Sequence, residues 1–548
     1  MKRLLYLLLL CLCICCRPEP SVTPGGESSD PAAVPKALVS GCLVDGRRLG
    51  ASGLVVDVPI EGAIIEIEFS SDIDAGKFMS EKVSFSGGGV KVMPSSGGNV
   101  LRLSPENALE HSTGYTLSIS AGAQLGIKLL DDFSVSFSTV YDPSDKFPKI
   151  SSDALLDLVQ ERTFRYFWDY AHPESGLARE RLGSGNTVTA GGSGFGIMAV
   201  PVGIERGFIT RSEGAERMRR IVSFLSEKAD RFHGAFPHWM DGQSGKALPF
   251  SSKDNGADLV ETAFLMEGLL AARQYFDRIS EADIASGIEQ LWKDVEWDWF
   301  TRGEDVLYWH WSPDKEWAIN MQIKGWNEAL LVYVLAASSP THPVEPSVYH
   351  KGWASDGVIR CGRSFYDITL PLGYDKGGPM FFAHYSFMGL DPRNLSDGYA
   401  SYWEQNVAHA RINHAYCADN PGSHSGYGPA CWGLTASDYP KGYTASSPTN
   451  DTGTIAPTAA LASMPYTPKE SMAALETFYY IYGDKLWGEY GFYDSFNLDS
   501  NWFASSYIAI DQGPIVVMIE NSRSGLLWNL FMKDADVRAG LEKLGFEY

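Results

Sequence analysis

The chain has 548 residues, 44% of them hydrophobic and 20% charged, with 12% aromatic residues and 15 tryptophans. That length predicts two folded units with ample core. The formal net charge of −22 argues against nucleic acid or an anionic membrane surface as partner, since both require an excess of lysine and arginine; an uncharged substrate fits better.

The first residues, MKRLLYLLLLCLCICC, give a basic start and an apolar run too short to span a bilayer, which reads as an export signal. The run ends in cysteines and resembles a bacterial lipoprotein signal. Cys16 is the expected lipidated residue because the preceding Cys15 is small, and Cys15 is the alternative. A signal region over 1–16 and a Pro/Ser/Gly-rich tether over 17–35 predict a monomer in the cell envelope that meets the membrane only through a lipid anchor. Cys42, Cys361, Cys417 and Cys431 are scattered without zinc-ligand spacing. Cys417 and Cys431 are close enough in sequence to pair, and free buried thiols fit equally well.

Over 36–141 the pattern alternates. AIIEIEFS, NVLRLSP, GYTLSISAG and FSVSFSTV are short β-rich runs separated by Gly, Ser, Asp and Asn, which predicts a small β-sandwich. These runs resemble the bacterial Ig-like domains found ahead of secreted enzymes, and the segment reads as a spacer or docking module. Over 150–548 the periodicity becomes helical. Helices are predicted over 152–170, 210–231, 255–277, 321–337, 469–482 and 514–532. Thr210 with Glu213 forms a capping box, and Thr467-Pro468-Lys469-Glu470 supplies an N-cap, a first-turn proline and an acid. Long helices joined by aromatic loops suggest an α/α toroid.

Asp254, Asp258 and Glu261 are spaced by four and three, which would place all three on one helix face. Like charges there destabilise a helix by roughly 0.2–0.5 kcal/mol per pair. The segment is therefore either a solvated acidic face near a helix start or an acid-lined pocket for a hydroxyl-rich substrate. Seven tryptophans lie between Trp292 and Trp326. About half are expected in the core, and Trp309 and Trp311, in a loop, are the better platforms for sugar rings. Glu328 stands at the start of an apolar run, where partial burial would raise its pKa as a general acid requires; a plain first-turn glutamate is the alternative. Asp511 sits where a strand-like run meets Gly513-Pro514, and Glu520 is expected in a structural ion pair, with Arg523 a plausible partner. His384, His409 and His414 lack ligand spacing. No metal and no cofactor is expected, since no phosphate loop, nucleophile elbow or dinucleotide fingerprint occurs.

FRYFWDY, GSGFGIMAVPVGIERG, FPHWMDG, DNGADLVETAFLMEGLLAARQYF, IKGWNEAL, HYSFMGLDPR, RINHAYC, CWGLTASD and AIDQGPIVVMIEN together resemble the glucoamylase-like proteins of glycoside hydrolase family 144. The resemblance spans roughly residues 150–545. It implies a mainly α chain with an (α/α)6 barrel behind the Ig-like β-sandwich. It also implies hydrolysis of β-1,2-glucan, by endo-cleavage or sophorose release, with inversion. The family's functional acids match Asp254, Asp258, Glu261, Glu328 and, by local motif, Asp511. Glu328 is then the expected general acid, Asp511 and Asp258 are the candidates for the base, and the substrate-binding set is Asp254, Glu261, Trp309, Trp311, Trp326, His384 and Tyr385. A non-catalytic surface glycan-binding lipoprotein is one rival reading, and the intact acid set argues against it. An α/α-toroid polysaccharide lyase is the other; it would need basic residues for a uronate.

Overall fold

The computed structural model describes residues 34–48, 54–95 and 97–548. The expected signal over 1–16, with Cys15 and Cys16, and nearly all of the tether lie outside the described residues. An Ig-like β-sandwich precedes a helical (α/α)6 barrel.

In the sandwich, alternate residues point inward: Ile65, Ile67 and Phe69, then Leu117 and Ile119, then Val135 and Phe137 are all buried. This is the period-2 pattern of a half-buried strand. One sheet orders Arg47–Arg48, Val39–Val44, Ile65–Phe69, Val100–Pro105 and Val90–Met93 in an antiparallel array. The facing sheet orders Leu54–Val58, Phe133–Thr139, Gly114–Ile119 and Val83–Phe85, with only the first pair parallel. Ser425 Oγ donates to Asp57 Oδ2 at 2.6 Å, and Tyr141 donates to Asp484 at 2.9 Å, tying the sandwich to the helical domain.

The helices are α1 Ser152–Trp168, α2 Ala190–Glu205, α3 Arg211–Glu227, α4 Leu259–Tyr275, α5 Ala282–Lys293, α6 Leu330–Ser338 and α7 Tyr402–Asp419, followed by α8 Pro457–Leu461, α9 Pro468–Glu476, α10 Gly483–Leu486, α11 Ala509–Arg523, α12 Leu526–Lys533 and α13 Ala535–Leu544. Helices α2, α4, α6, α8 and α11 are buried almost all round, as the inner layer of a barrel must be. The one-sided helices α1, α3, α5, α9 and α13 pack outside them. Between α6 and α8 the short turns of Met380–Phe387 complete the ring: Ser386 Oγ accepts the Leu331 N–H at 3.0 Å, and His384 Nε2 lies 3.0 Å from Ser463 Oγ.

Helices α2 and α4 cross in backbone contact. A Cβ at Gly194 would fall 2.0 Å from the Phe264 carbonyl oxygen, and one at Gly268 would fall 2.2 Å from that of Gly194. Gly194 and Gly268 permit this approach, whereas the neighbouring Gly192 makes room for Ala509.

The capping box at Thr210 and Glu213 is present in both directions. Several boundaries differ from expectation. The predicted 321–337 helix begins only at Leu330, because the polar stretch before it is pulled into turns by Asn327, whose Oδ1 accepts the Ala329 N–H at 3.0 Å. The 469–482 prediction ends as α9 at Glu476, followed by a π turn over Thr477–Ile481. Thr467 does not cap it; its hydroxyl bonds Ser463 O and Ser471 Oγ instead. The last predicted helix starts earlier, at Ala509, and carries Pro514 inside it before ending at Arg523. Cys417 and Cys431 are free and buried.

Candidate active site

Asp258 caps the N-terminus of α4. Its Oδ1 accepts from the N–H groups of Val260 at 3.0 Å and Glu261 at 2.9 Å, and its Oδ2 meets His238 Nδ1 at 2.9 Å. Asp254 is not on the helix, so the one-face prediction fails for it. It lies in a turn held by Ser251, four residues before the cap. The three acids still converge, because Ala257–Asp258 is extended and pairs with His310–Trp311. His238 stands in their midst, 3.9 Å from Asp254 and 4.0 Å from Glu261. Burial opposes its charge, but Glu261, Asp258 and Asp254 outweigh that and carry the imidazole up to about 9. A cation therefore sits at the centre of the acid cluster at neutral pH.

Glu261 Oε2 accepts the Gly191 N–H at 2.7 Å and the Thr189 hydroxyl at 3.1 Å, at the amino end of α2 where unpaired N–H groups and the helix dipole favour an anion. Burial nevertheless raises its pKa. Glu328 lies in the turn ahead of α6, its backbone carbonyl held by the Ser386 hydroxyl. Burial first, then the charges of Asp258 and Glu261, push its carboxyl up to about 7.

Asp258, Glu261 and Glu328 line one cavity of about 310 Å³ together with His238, Trp309 and Tyr385. A neighbouring cavity of about 400 Å³ shares His238, Glu261 and Tyr385 and adds Arg181, Trp239 and Tyr443. Phe250 stacks on His238 with ring centroids 4.2 Å apart. The pair makes a cleft with aromatic walls and an acidic floor, suited to a neutral sugar.

Other expected site residues lie outside these cavities. Trp326 is only 1% exposed and packs against Phe387, Tyr402 and His409, so it is a core residue and not a sugar platform. His384 is buried against Ser463, and burial lowers its pKa to about 3, leaving a neutral structural imidazole. Trp311 turns its ring toward His233 and Trp299 instead of the cleft. Asp254 is buried behind Asp258, with His310 Nε2 at 3.2 Å. Asp511 lies behind Tyr385, whose hydroxyl donates to its Oδ1 at 3.3 Å. Glu520 does form an ion pair, but with Arg206 at 2.7 Å, whereas Arg523 turns to Asp157.

Three further residues of the site are not marked by any spacing in the sequence. His238, in FPHWMDG, carried no ligand or triad spacing, although its aromatic neighbours offered a weak signal. Asp494 lies beside Asp511, and Asp438 donates its N–H to Asp494 Oδ2 at 2.6 Å while Arg181 pairs with its carboxylate at 3.2 Å. Nothing in the sequence near Asp494 or Asp438 marked them.

His238, Asp254 and Asp258 each offer one ligand atom within 4.8 Å of the others, a grouping that could hold a metal ion. A proton on His238 competes with a metal there, since the imidazole must give it up before its nitrogen can ligate, and the acids that draw in the proton would draw in a cation too.

The family model described as "Putative glucoamylase" matches residues 320–535, and a bacterial Ig-like domain model matches residues 54–139. An exo β-1,2-glucooligosaccharide sophorohydrolase (non-reducing end) of Parabacteroides distasonis is 50% identical over 420 residues, 72% of this chain and 58% of that protein. The chain thus spans under two thirds of the length of this curated relative. The solved endo-β-1,2-glucanase of Chitinophaga pinensis, in complex with sophorotriose and glucose, aligns with a TM-score of 0.72 at 53% identity, covering 73% of this chain and 99% of that one. A β-1,2-glucanase from Parabacteroides distasonis aligns over 94% of this chain and 73% of its own, with a TM-score of 0.71 and 40% identity.

Proposed function

The chain belongs to the glucoamylase-like glycoside hydrolases of family 144, and on that premise we propose that it hydrolyses β-1,2-glucan or β-1,2-glucooligosaccharides with inversion, releasing sophorose or short sophorooligosaccharides. The observation that carries this reading is the convergence of Glu328, Asp258 and Glu261 on one aromatic-walled cavity, with Glu328 held up to about 7. A carboxyl that stays protonated near neutrality can donate to the departing glycosidic oxygen.

Inversion also needs a base to take a proton from the attacking water, with the two carboxyls about 6.5–9.5 Å apart. Asp258 is a poor base, because both of its oxygens are already engaged by the α4 N-terminus and His238. Asp511 takes the role through Tyr385, which lines the cavity. As the water oxygen bonds to the anomeric carbon, its proton passes to the Tyr385 oxygen and the tyrosine proton passes to Asp511. Glu261 Oε2 is occupied, and its other oxygen is placed to accept a sugar hydroxyl. Trp309 supplies a ring surface for a pyranose.

We place the protein in the cell envelope, anchored by a lipid on Cys16. Incubation with linear β-1,2-glucan, followed by chromatography of products and proton NMR of the new anomeric centre, tests the reaction. Sophorose-series products born as the α-anomer are expected. An unsaturated product, or a β-anomer, would refute the mechanism.

A further inference from the structure

We infer that Trp299 is the platform of a second glucan-binding site, separate from the catalytic cleft, which holds glucosyl units of the same neutral β-1,2-glucan chain. The ligand named here rests on the substrate reading above.

Trp299 belongs to a short 3-10 turn, Trp297–Thr301. Trp297 and Phe300 of that turn are fully buried and fix it to the core, while Trp299 is 41% exposed. One face of the indole lies parallel on the His233 ring, with centroids 3.9 Å apart and planes at 14°. His233 is itself locked: its Nδ1 meets Glu296 Oε2 at 2.8 Å, and its backbone carbonyl accepts the Glu296 N–H at 3.0 Å. Trp311 closes one edge at 84°. An indole supported on one face and one edge loses little conformational freedom when a ligand covers its remaining face.

That remaining side opens on a pocket of about 610 Å³, which shares no lining residue with either catalytic cavity. Trp317 forms a second aromatic wall 6.3 Å from Trp299, with the Arg302 guanidinium 5.2 Å from its ring centroid. The rim carries Glu296 and Asp298 as acceptors, and Arg302 and His342 as donors, with Asp298 meeting His342 at 3.1 Å. Charges of both signs line the rim, so nothing singles out an ionic ligand, and Arg302 already takes the cation site over Trp317. An apolar plane bordered by donors and acceptors suits the C–H face and hydroxyls of a pyranose. Trp311, against its edge, pairs with Ala257 beside Asp258, which places the platform on the same side of the domain as the catalytic cleft.

The test uses the full-length protein carrying Glu328→Gln, with and without Trp299→Ala, in native gels and titrations with linear β-1,2-glucan. Loss of the indole is expected to weaken polymer binding at least about fivefold, with Trp299→Phe intermediate. In the otherwise unaltered enzyme, the ratio of kcat/KM for polymer to that for a β-1,2-linked trisaccharide should fall by a similar factor, since a short ligand gains nothing from a second hold. Equal polymer binding with and without the indole overturns the inference and leaves the substrate reading standing. A Glu328→Gln parent that binds no β-1,2-glucan removes the substrate reading, and the ligand of this site with it.

Discussion

Asp494 and Asp511 sit side by side, and each keeps one buried carboxylate oxygen, Oδ1 of the first and Oδ2 of the second, without a donor among the described residues. Two carboxylates are acceptors only, so they can bond to each other only by sharing a proton. Burial first, then the charges of Asp494 and Asp438, hold Asp511 far above the ordinary carboxyl range. Arg181 opposes the rise at Asp494 through its charge, and Tyr385 opposes it at Asp511 through its hydroxyl.

Replacing Asp494 with Asn keeps the acceptor for the Asp438 N–H and supplies Asp511 with an amide donor in place of the shared proton. Asp511 should then ionise at lower pH, moving the acid limb of the kcat/KM profile down by about one unit or more. The raised folded pKa also means that this pair stabilises the fold below the unfolded carboxyl range, and that the contribution is lost as pH rises through the folded value. Asp494→Asn should flatten that decline in melting temperature between pH 5 and 8. An unmoved acid limb and an unchanged melting profile would show that no proton is shared.

As the proposed general acid, Glu328 would have to be protonated, so turnover should fall as pH rises through about 7, the value to which burial and its acidic neighbours push it. Glu328→Gln should fold normally, bind glucan and lose at least about a hundredfold in kcat. Retention of more than about a tenth of the wild-type rate would reassign the acid.

Asp258 has two duties that substitutions can separate. Asp258→Asn keeps a capping oxygen for Val260 and Glu261 but removes a charge beside His238 and Glu328, so activity should fall with little change in melting temperature. Asp258→Ala removes the cap as well and should destabilise by about 0.5–2 kcal/mol, read from denaturant unfolding. Equal stability of the two variants would deny the capping role.

Dialysis against EDTA should change neither activity nor melting temperature, because the His238 imidazolium supplies the positive charge among Asp254, Asp258 and Glu261 that a metal would otherwise bring. Loss of activity restored by a divalent cation would make His238, Asp254 and Asp258 ligands.

Much of this site was legible in the sequence because local pattern and chemistry agree there. The spacing of Asp254, Asp258 and Glu261 signalled the cluster, and the apolar run after Glu328 signalled its burial. The same spacing misled about geometry, since a helix period cannot show that Asp258 is a cap and Asp254 lies outside the helix. Trp326 and His384 belong to the core and not the cleft, a distinction composition cannot make for an aromatic or an imidazole. His238, Asp438 and Asp494 depend on long-range placement: Asp494 is 17 residues from Asp511 in the chain and meets it only when the loop before α11 folds back.

The backbone contact between α2 and α4 leaves the protein no soft layer in which to absorb change. Gly191, which holds Glu261 together with the Thr189 hydroxyl, lies three residues before Gly194, which touches α4 directly, so the main-chain anchor of the carboxylate is set by two helix axes. Drift in the outer helices or loops can be repacked, but a single methyl group at Gly194 or Gly268 would force those axes apart and carry the acid cluster with them. Specificity in this scaffold can therefore be retuned from the loops that roof the cleft, whereas its floor admits no gradual modification.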